Sequence, residues 1–264
     1  MMHRLTTSLA SASLLALAVA GCGSSSTTTE GGVNLIKEGK LTVCTQLPYQ
    51  PFEFRQGGKV VGFDVSMMDL VAEDLGITVG IVQTPFEGIQ SGQSLNTSQC
   101  DIAAAGMTIT DARAKVIDFS DPYFEATQAL LVKKGSGYDS LESLAGKKIA
   151  VQQGTTGEIY TKENAPKDAK IQVFEDLGLL TTSVKTGQVA AAVQDNGPLL
   201  DFVKKNPDVE VTAEFDTGEE YGFAVKKGGN DELLKTVNDT IKKAKDDGTY
   251  DEVYEQWFGS KPKS

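Results

Sequence analysis

The chain has 264 residues, of which 40% are hydrophobic and 23% are charged, a balance typical of a folded protein. Its 36 acidic side chains outnumber the 25 basic ones and give a net charge of -11, opposite in sign to a nucleic-acid-binding surface. The single histidine, His3, lies in a segment that we expect to be removed. The mature protein is therefore predicted to have no histidine-based catalysis and no histidine metal site. We also expect no other metal site and no cofactor.

The amino-terminal segment is typical of an export signal. Arg4 supplies a positive charge ahead of the apolar run at residues 9–20. At about 1.5 Å per residue this run spans roughly 18 Å, which is too short for a hydrocarbon layer of about 30 Å. The segment is therefore predicted to direct export rather than to span the membrane.

The apolar run ends at Val19-Ala20-Gly21-Cys22, which resembles the bacterial lipobox, a signal whose cysteine is lipidated and becomes the new amino terminus. The sequence thus predicts a lipoprotein signal peptide at residues 1–21 and lipidation of Cys22. Residues 22–33 consist mostly of Ser, Thr and Gly and are predicted to form a flexible tether. The alternative is a plain secretory signal that is cut near Gly21.

Short apolar strands alternate with amphipathic helices in the first part of the body. Residues 41–45, 77–81 and 102–105 are predicted strands. Asp64 is predicted to cap a helix with one apolar face, and Gly76 is predicted to end it.

The same alternation repeats after Gly146. It comprises predicted strands at 148–151, 171–174 and 190–193, with predicted helices at 156–164 and 179–187. A last amphipathic helix is predicted to begin at Asn230. Strands joined by helical crossovers favour parallel sheets of the α/β class, and two such sets indicate two lobes.

Two cysteines, Cys44 and Cys100, remain in a compartment that permits disulfides, and neither has the spacing of a metal ligand. They are either bonded to each other or separate buried residues. Strand register argues against a bond, because Cys44 lies near the carboxyl end of one strand and Cys100 just before another. That register implies more than about 10 Å between them, whereas a disulfide needs Cα atoms within about 7 Å.

The loop Gly106-Met107-Thr108-Ile109-Thr110-Asp111-Ala112-Arg113 directly follows the predicted strand at 102–105. In open α/β sheets, ligands bind beyond the carboxyl ends of the strands. Backbone N–H groups, the Thr108 hydroxyl group and the Arg113 guanidinium group are suited to hold a carboxylate there. The alternative is a surface arginine in an ordinary loop.

Two further candidates follow strands of the second set. The segment Gln153-Gly154-Thr155-Thr156-Gly157 opens a helix, whose free N–H groups favour an anion, although it lacks the lysine of a phosphate-binding loop. Asp195 ends another strand, where its carboxylate is suited to meet an ammonium group. The alternative is that Asp195 caps the next helix.

Five segments in fixed order resemble one known family. They are Pro51-Phe52-Glu53-Phe54, Gly62-Phe63-Asp64, the loop from Gly106 to Arg113, Asp118-Phe119-Ser120-Asp121-Pro122-Tyr123, and residues 248–259 with Trp257 and Phe258. Over residues 35–259 the chain resembles the bacterial extracellular solute-binding proteins of family 3, which bind polar amino acids for ABC importers. The resemblance implies a two-lobed α/β fold of the type II periplasmic-binding-protein class, with two hinge strands and the ligand in the interlobe cleft.

The resemblance also implies where the lobes begin and end. The hinge crossings are expected near residues 125–131 and 219–224. Lobe 1 would then comprise residues 34–127 plus 222–264, and lobe 2 would comprise residues 128–221.

For the ligand's α-carbon groups, the resemblance assigns a role to each candidate. Arg113 would bind the α-carboxylate, assisted by Thr108 and the backbone of Thr156. Asp195 would hold the α-ammonium group together with the Gly106 carbonyl group and the Thr108 hydroxyl group. A zwitterion would neutralise both charges, which matters because an unpaired buried charge is expensive. The expected residues of this group are Gly106, Met107, Thr108, Arg113, Thr156 and Asp195.

The side-chain pocket differs from that of the relatives. Gln46, Gln152 and Gln194 occupy positions where several relatives carry charged side chains, and Tyr49 and Phe86 match an aromatic pair that sandwiches the ligand. A pocket of amides and rings favours a neutral polar amino acid, glutamine first and asparagine, cystine or histidine behind it. The alternatives are a basic or other polar amino acid, an opine or a compatible solute.

The implied partners are the amino acid, an ABC permease, and the membrane that holds the lipid on Cys22 at the extracytoplasmic face. We expect a monomer that binds no nucleic acid and catalyses no reaction. Two other classes stay open. A dehydratase on this fold would use Asp195 for proton transfer. A sensor or adhesin lipoprotein would reuse the binding lobes without transport.

Overall fold

The computed structural model describes residues 27–29 and 31–262. The predicted signal peptide at 1–21 and the predicted lipidation site Cys22 lie outside these residues. Within the described ranges, no helix is both long enough and apolar enough to cross a membrane.

One five-stranded sheet combines parallel strands with an antiparallel edge. In spatial order its strands are β6 (Thr78–Gln83), β3 (Lys40–Thr45), β7 (Ile102–Ala103), β14 (Ala224–Lys226) and β8 (Ile117–Phe119). Strand β3 is parallel to β6 and β7, whereas β14 is antiparallel to β7 and β8. The three strands predicted for the first part of the body are therefore present, the last one shorter than expected.

A second five-stranded sheet contains the strands predicted after Gly146. In spatial order they are β11 (Lys170–Phe174), β10 (Lys148–Gln152), β12 (Ala191–Asp195), β9 (Phe124–Lys133) and β13 (Val209–Tyr221). Strands β10, β11 and β12 are parallel, and β9 lies antiparallel between β12 and β13. The chain passes from the first sheet to the second between β8 and β9, and returns between β13 and β14.

Helices connect the strands, as the α/β class requires. They are α1 (Phe63–Asp74), α2 (Phe86–Gln90), α3 (Gln93–Asn96), α4 (Asp111–Ala114), α5 (Thr156–Asn164), α6 (Leu177–Thr186), α7 (Asn196–Lys205), α8 (Asp231–Asp247), α9 (Thr249–Phe258) and a short 3-10 turn at Glu142–Leu144. Helix α8 begins after Asn230 as predicted, but the Asn230 amide donates to the Asn34 carbonyl group instead of capping the helix.

The prediction that Asp64 caps α1 is wrong. Gly62 is the cap residue, at φ 139°, and a Cβ atom there would lie 2.0 Å from the Phe52 carbonyl oxygen, so only glycine fits. Asp64 lies inside the first turn and is fully buried. Its carboxylate accepts hydrogen bonds from the Gly106 N–H group at 2.9 Å and the Tyr123 hydroxyl group at 2.8 Å. It therefore fixes the loop after β7 rather than the end of the helix.

Cys44 and Cys100 form a disulfide, with Cα atoms 5.6 Å apart. The prediction of two separate cysteines is wrong, because it required Cys100 to lie in line with β7, ahead of the strand. In the structure, Cys44 pairs with Ala103, and Cys100 precedes the strand in a buried apolar cluster that contains Phe86, Ile89 and Leu95 of α2 and α3. The chain thus reaches Cys44 from the helical face of the sheet and not along the strand direction.

Part of the segment predicted as a tether has regular structure. Strand β1 (Thr27–Thr28) pairs with β2 (Asn34–Leu35), and Val33 is fully buried. A second short hairpin joins β4 (Phe54–Gln56) to β5 (Lys59–Val61). Residues 27–29 and 31–33 of the predicted tether therefore belong to the folded part, and its residues 22–26 and 30 lie outside the described residues.

An aromatic cluster packs where the chain passes between the two sheets. Phe52 is fully buried, and its ring centroid lies 4.8 Å from that of Phe124, 5.3 Å from that of Tyr221 and 5.5 Å from that of Phe258. These rings come from the loop after β3, from α9, and from β9 and β13, the two strands that adjoin the crossings between the sheets. Burial of such large rings holds the two crossing strands against the first sheet.

Candidate functional site

A small, partly open cavity of about 10 Å³ lies between the two sheets. Its lining residues come from both sheets and are Gln46, Tyr49, Glu53, Phe86, Ala105, Gly106, Thr108, Arg113, Gln152, Thr155, Thr156 and Asp195. The volume leaves room for about one water molecule, because side chains from opposite sides reach each other across the cavity. Most of the predicted site residues are thus brought together. The predicted residues Met107 and Gln194 are buried close by without lining the cavity.

Arg113 lies in α4 and is 5% exposed. Its Nη1 atom donates to the Thr108 carbonyl group at 2.7 Å, and its Nη2 atom donates to the Gly154 carbonyl group, in the turn after β10 of the second sheet, at 2.9 Å. Its guanidinium carbon lies 5.2 Å from the centre of the Phe86 ring. Burial lowers the pKa of Arg113, while the charges of Asp195 and Glu219 oppose that shift, so it remains a cation. The interpretation as an ordinary surface arginine is therefore wrong.

Asp195 ends β12 and is 3% exposed. It occupies the N-cap position of α7, as the alternative predicted, but its side chain makes no capping hydrogen bond. Instead its carboxylate accepts from the Tyr49 hydroxyl group at 2.7 Å, from the Tyr221 hydroxyl group, and from the Gln128 amide at 2.6 Å. Burial raises the pKa of Asp195 from 3.8 to about 6, with a further increase from the charge of Glu219.

A hydroxyl pair joins the two sides of the cleft through Glu219. The Thr108 and Thr156 hydroxyl groups each donate to Oε2 of Glu219 at 2.7 Å. Gln128 on β9 donates to the other carboxylate oxygen at 2.9 Å. The first residue of α5 is Thr156, and the Thr155 hydroxyl group caps that helix by accepting from the Glu158 N–H group. The expected anion-binding helix end therefore lies at the cavity.

The three predicted glutamines form a chain of amides across the cleft. Gln194 donates to the Gln152 side-chain oxygen at 2.9 Å, and Gln152 donates in turn to Gln46. Gln46 donates to the Glu175 carbonyl group at 3.0 Å, and Gln194 accepts from the Asp195 N–H group at 3.0 Å. Each amide thus has a partner for both its nitrogen and its oxygen. This row of side-chain amides closes one wall of the cavity.

Tyr49 and Phe86 both line the cavity and are 8% and 7% exposed. Gly106 allows the close approach of Tyr49, because a Cβ atom at Gly106 would lie 2.6 Å from the Tyr49 ring and its φ is 50°. The loop between β7 and α4 therefore packs directly against the ring of Tyr49.

Four polar residues that shape this site have no predicted role from the sequence: Glu53, Gln128, Glu219 and Tyr221. For Glu219 a signal exists, since alternate residues of a strand share a face. That alternation places Glu219 with Phe215, Thr217 and Tyr221 on the half-buried face of β13, while Glu220 is exposed. For Glu53, the signal is a lone carboxyl group between two aromatic residues of the segment Pro51-Phe52-Glu53-Phe54.

Residues 41–260 match the sequence model of the bacterial extracellular solute-binding proteins, family 3. The chain belongs to this family. Its members are solute-binding proteins outside the cytoplasm. The match confirms the family predicted from the motifs, and the two sheets described above agree with the predicted fold class. The part of the chain that the structure describes holds no group of three or more His, Cys, Asp and Glu side chains that could bind a metal ion.

Proteins that are similar to this chain differ in the ligands they bind. The chain is 38% identical over 209 residues to the ABC transporter glutamine-binding protein GlnH of Bacillus subtilis (strain 168), covering 78% of this chain and 75% of that protein. It is 35% identical over 247 residues to the L-cystine-binding protein TcyJ of Escherichia coli (strain K12), covering 92% and 91% respectively.

Solved structures show the same variety. An ancestral arginine-binding protein bound to arginine is 44% identical with a TM-score of 0.79, over 83% of this chain and 98% of that chain. An ancestral arginine-binding protein bound to glutamine is 43% identical with a TM-score of 0.79, over 85% of this chain and 100% of that chain. The family is thus shared, while the ligand varies among the relatives.

Proposed function

We propose that this chain is the extracytoplasmic amino-acid-binding component of an ABC importer, and that its ligand is a neutral polar amino acid such as glutamine. One observation carries the proposal: Arg113 of α4, on the side of the first sheet, and Asp195, at the end of β12 in the second sheet, line the same cavity. A buried guanidinium group and a buried carboxylate match the α-carboxylate and α-ammonium groups that all amino acids share.

The groups around these two residues supply the remaining hydrogen bonds. The Thr156 N–H group lies at the start of α5, where the helix dipole favours the α-carboxylate. The Thr108 hydroxyl group and the Gly106 carbonyl group lie on the loop below it. A bound zwitterion would therefore exchange its hydrogen bonds with water for a set of matched partners, with no buried charge left unpaired.

Selectivity for the side chain follows from what else lines the cavity. Among the described lining residues, Arg113 is the one basic side chain, and its role with the α-carboxylate leaves no cation for glutamate. Gln46, Gln152, Tyr49 and Phe86 supply amides and rings that suit a neutral polar side chain. A basic amino acid is the second candidate, because Glu53 also lines the cavity and would favour a cation if it were ionised.

Binding requires the cleft to open, since a cavity of about 10 Å³ cannot admit an amino acid in its closed form. We propose that lobe 1 (residues 34–127 plus 222–264) and lobe 2 (residues 128–221) separate about β9 and β13. Opening breaks the contacts of Arg113 with Gly154 and of Tyr49 with Asp195. The ligand α-carboxylate replaces the first contact, and the second forms again when the cleft closes over the ligand. The closed form would be presented to a permease, with a lipid on Cys22 holding the monomer at the membrane.

A thermal-shift panel of the twenty amino acids tests the proposal. A ligand that binds only the folded chain at a thousandfold excess over Kd stabilises it by about 4 kcal/mol. For a body of this size that corresponds to about 8–16 °C in Tm. Glutamine should give the largest shift. Arginine or lysine in first place would support the second candidate, and no shift with any amino acid would refute amino-acid binding itself.

A further inference from the structure

Glu53 is an unusual buried carboxyl group at the cavity. It is 1% exposed, and neither of its carboxyl oxygens has a hydrogen-bond partner among the described residues. It lines the same cavity as Arg113 and Asp195. Buried polar groups in native proteins are nearly always hydrogen-bonded, so a carboxyl group with two unpartnered oxygens calls for a partner that is supplied from elsewhere.

The backbone holds Glu53 in this position. Its N–H group donates to the Tyr49 carbonyl group at 3.1 Å, and its carbonyl group accepts from the Tyr49 N–H group at 2.8 Å. On either side, Phe52 and Phe54 are buried in aromatic contacts. The side chain of Glu53 is therefore fixed at the cavity and cannot reach solvent without displacing these rings.

The surroundings of Glu53 favour its neutral form. Burial raises the pKa of Glu53 well above its ordinary value, and the negative charge of Asp64 in α1 acts in the same direction. The other titratable groups whose charges are coupled to it are the hydroxyl groups of Tyr49 and Tyr123, which supply no positive charge. A neutral carboxyl group offers one O–H donor and one carbonyl acceptor side by side.

We infer that Glu53 is the specificity-determining residue of this site and that its carboxyl group hydrogen-bonds the terminal carboxamide of the ligand side chain. The inference rests on the proposed function, since the ligand's α-carbon groups must lie on Arg113 and Asp195. A carboxyl group and a carboxamide are complementary, each donating one hydrogen bond and accepting one. The pair buries no net charge.

The amide chain supports this assignment. Gln46, Gln152 and Gln194 already satisfy one another, whereas both oxygens of Glu53 are free to accept or donate. A guanidinium group would instead require an ionised Glu53 next to the buried Asp64. Glutamate would bring a second carboxylate to the same place. Methionine has a similar length but would leave the Glu53 carboxyl group unpartnered.

Calorimetry on the wild type and on the variants E53Q and E53L tests the inference with L-glutamine, L-methionine and L-arginine. Wild type should prefer glutamine to methionine by at least about 100-fold, because a site built for hydrogen bonds rejects a ligand that lacks them. E53Q keeps one donor and one acceptor and should bind glutamine within about tenfold of wild type. E53L should lose at least about 30-fold for glutamine and should gain affinity for methionine, so the preference narrows or reverses.

The matched controls are E73Q and E73L, which make the same changes at an exposed position of α1 and should leave both affinities unchanged. A purely structural role for Glu53 would weaken glutamine and methionine together, and would overturn the inference. Equal wild-type affinity for glutamine and methionine would overturn it without any variant, even if E53L failed to fold. Tighter binding of arginine than glutamine, with an enthalpy that varies with buffer because a proton is released, would also overturn it. Amino-acid capture would survive each of these three results, whereas the absence of binding to any amino acid would refute the proposed function instead.

Discussion

The Tyr49 hydroxyl group donates to Oδ2 of Asp195 at 2.7 Å, so the loop after β3 in one sheet contacts the carboxyl end of β12 in the other. The same tyrosine forms part of the aromatic wall of the cavity. One side chain thus combines two tasks, which are to contact the ligand side chain and to stabilise the carboxylate that we propose binds the α-ammonium group.

The variant Y49F separates these two tasks, because it removes the hydroxyl group and keeps the ring. The hydrogen bond from Tyr49 lowers the pKa of Asp195, so its loss should raise that pKa further. Glutamine affinity at pH 7.5 should fall by about 10- to 150-fold, since one hydrogen bond to a charged group contributes about 1.5–3 kcal/mol. Calorimetry at several pH values measures both effects. An unchanged pH profile would show that the Tyr49 hydroxyl group does not act on Asp195.

Arg113→Ala should weaken glutamine binding by about 30- to 5,000-fold, because truncation of one partner of a buried charge pair costs about 2–5 kcal/mol. Arg113→Lys is the matched control, since it keeps the positive charge and loses the two-pronged geometry. It should bind with an affinity between those of the wild type and the alanine variant. Calorimetry after a check of folding by circular dichroism makes the comparison, and a loss below threefold for the alanine variant would mean that the α-carboxylate binds elsewhere.

Glutamine affinity should depend on pH through Asp195. Its pKa is about 6, and the ligand ammonium group binds the ionised form. Affinity should therefore be full above pH 7 and should fall about tenfold at pH 5. D195N should bind weakly and show no such dependence. A wild-type affinity that stays constant between pH 5 and pH 7.5 would contradict the role of Asp195.

Folding stability should change with pH in the direction opposite to glutamine affinity. In the folded chain the pKa of Asp195 is raised above its ordinary value of 3.8, so the unfolded chain loses this proton first as pH rises. The contribution of Asp195 to stability is then full below about pH 3.8 and is lost by the time pH passes about 6. Asp64, whose pKa burial also raises to about 6, acts in the same direction. The opposite slopes of stability and affinity distinguish loss of binding from loss of folding.

Periodic patterns predicted the local structure well, and long-range contacts were harder to predict. Apolar alternation located β6, the apolar segment at residues 41–45 lies within β3, and the helix predicted at 156–164 is α5. Asp64 was misread as a cap because its partners, Gly106 and Tyr123, are distant in sequence. The same limit applies to the disulfide, because strand register says nothing about a residue that approaches from the face of a sheet.

The residues of the candidate site could also be predicted only in part from the sequence. Arg113 and Asp195 could be assigned because each directly follows a strand or ends one, where α/β sheets bind ligands. Glu53 and Glu219 could not be assigned, since their roles depend on which groups the fold places around them. A buried carboxyl group without partners is a property of three-dimensional packing and not of a motif.

Removal of the disulfide should destabilise the folded chain. Cys44 and Cys100 are 56 residues apart, and the double variant C44A/C100A should lower the free energy of unfolding by about 2–4 kcal/mol, as measured by urea denaturation. The double variant avoids an unpaired thiol. As a check, thiol titration of denatured, unreduced protein that lacks Cys22 should find no free thiol. Two free thiols would show that the bond does not form.

The most direct test of the α-carbon clamp uses ligands that each lack one α-group. L-Glutamine should be titrated by calorimetry beside glutaramic acid, which lacks the α-ammonium group, and 4-aminobutanamide, which lacks the α-carboxylate. All three keep the terminal carboxamide. Each analogue should bind at least about 30-fold more weakly than glutamine, because it leaves either Asp195 or Arg113 buried without a charged partner. Binding of either analogue as tightly as glutamine would contradict the claim that these two residues hold the zwitterion.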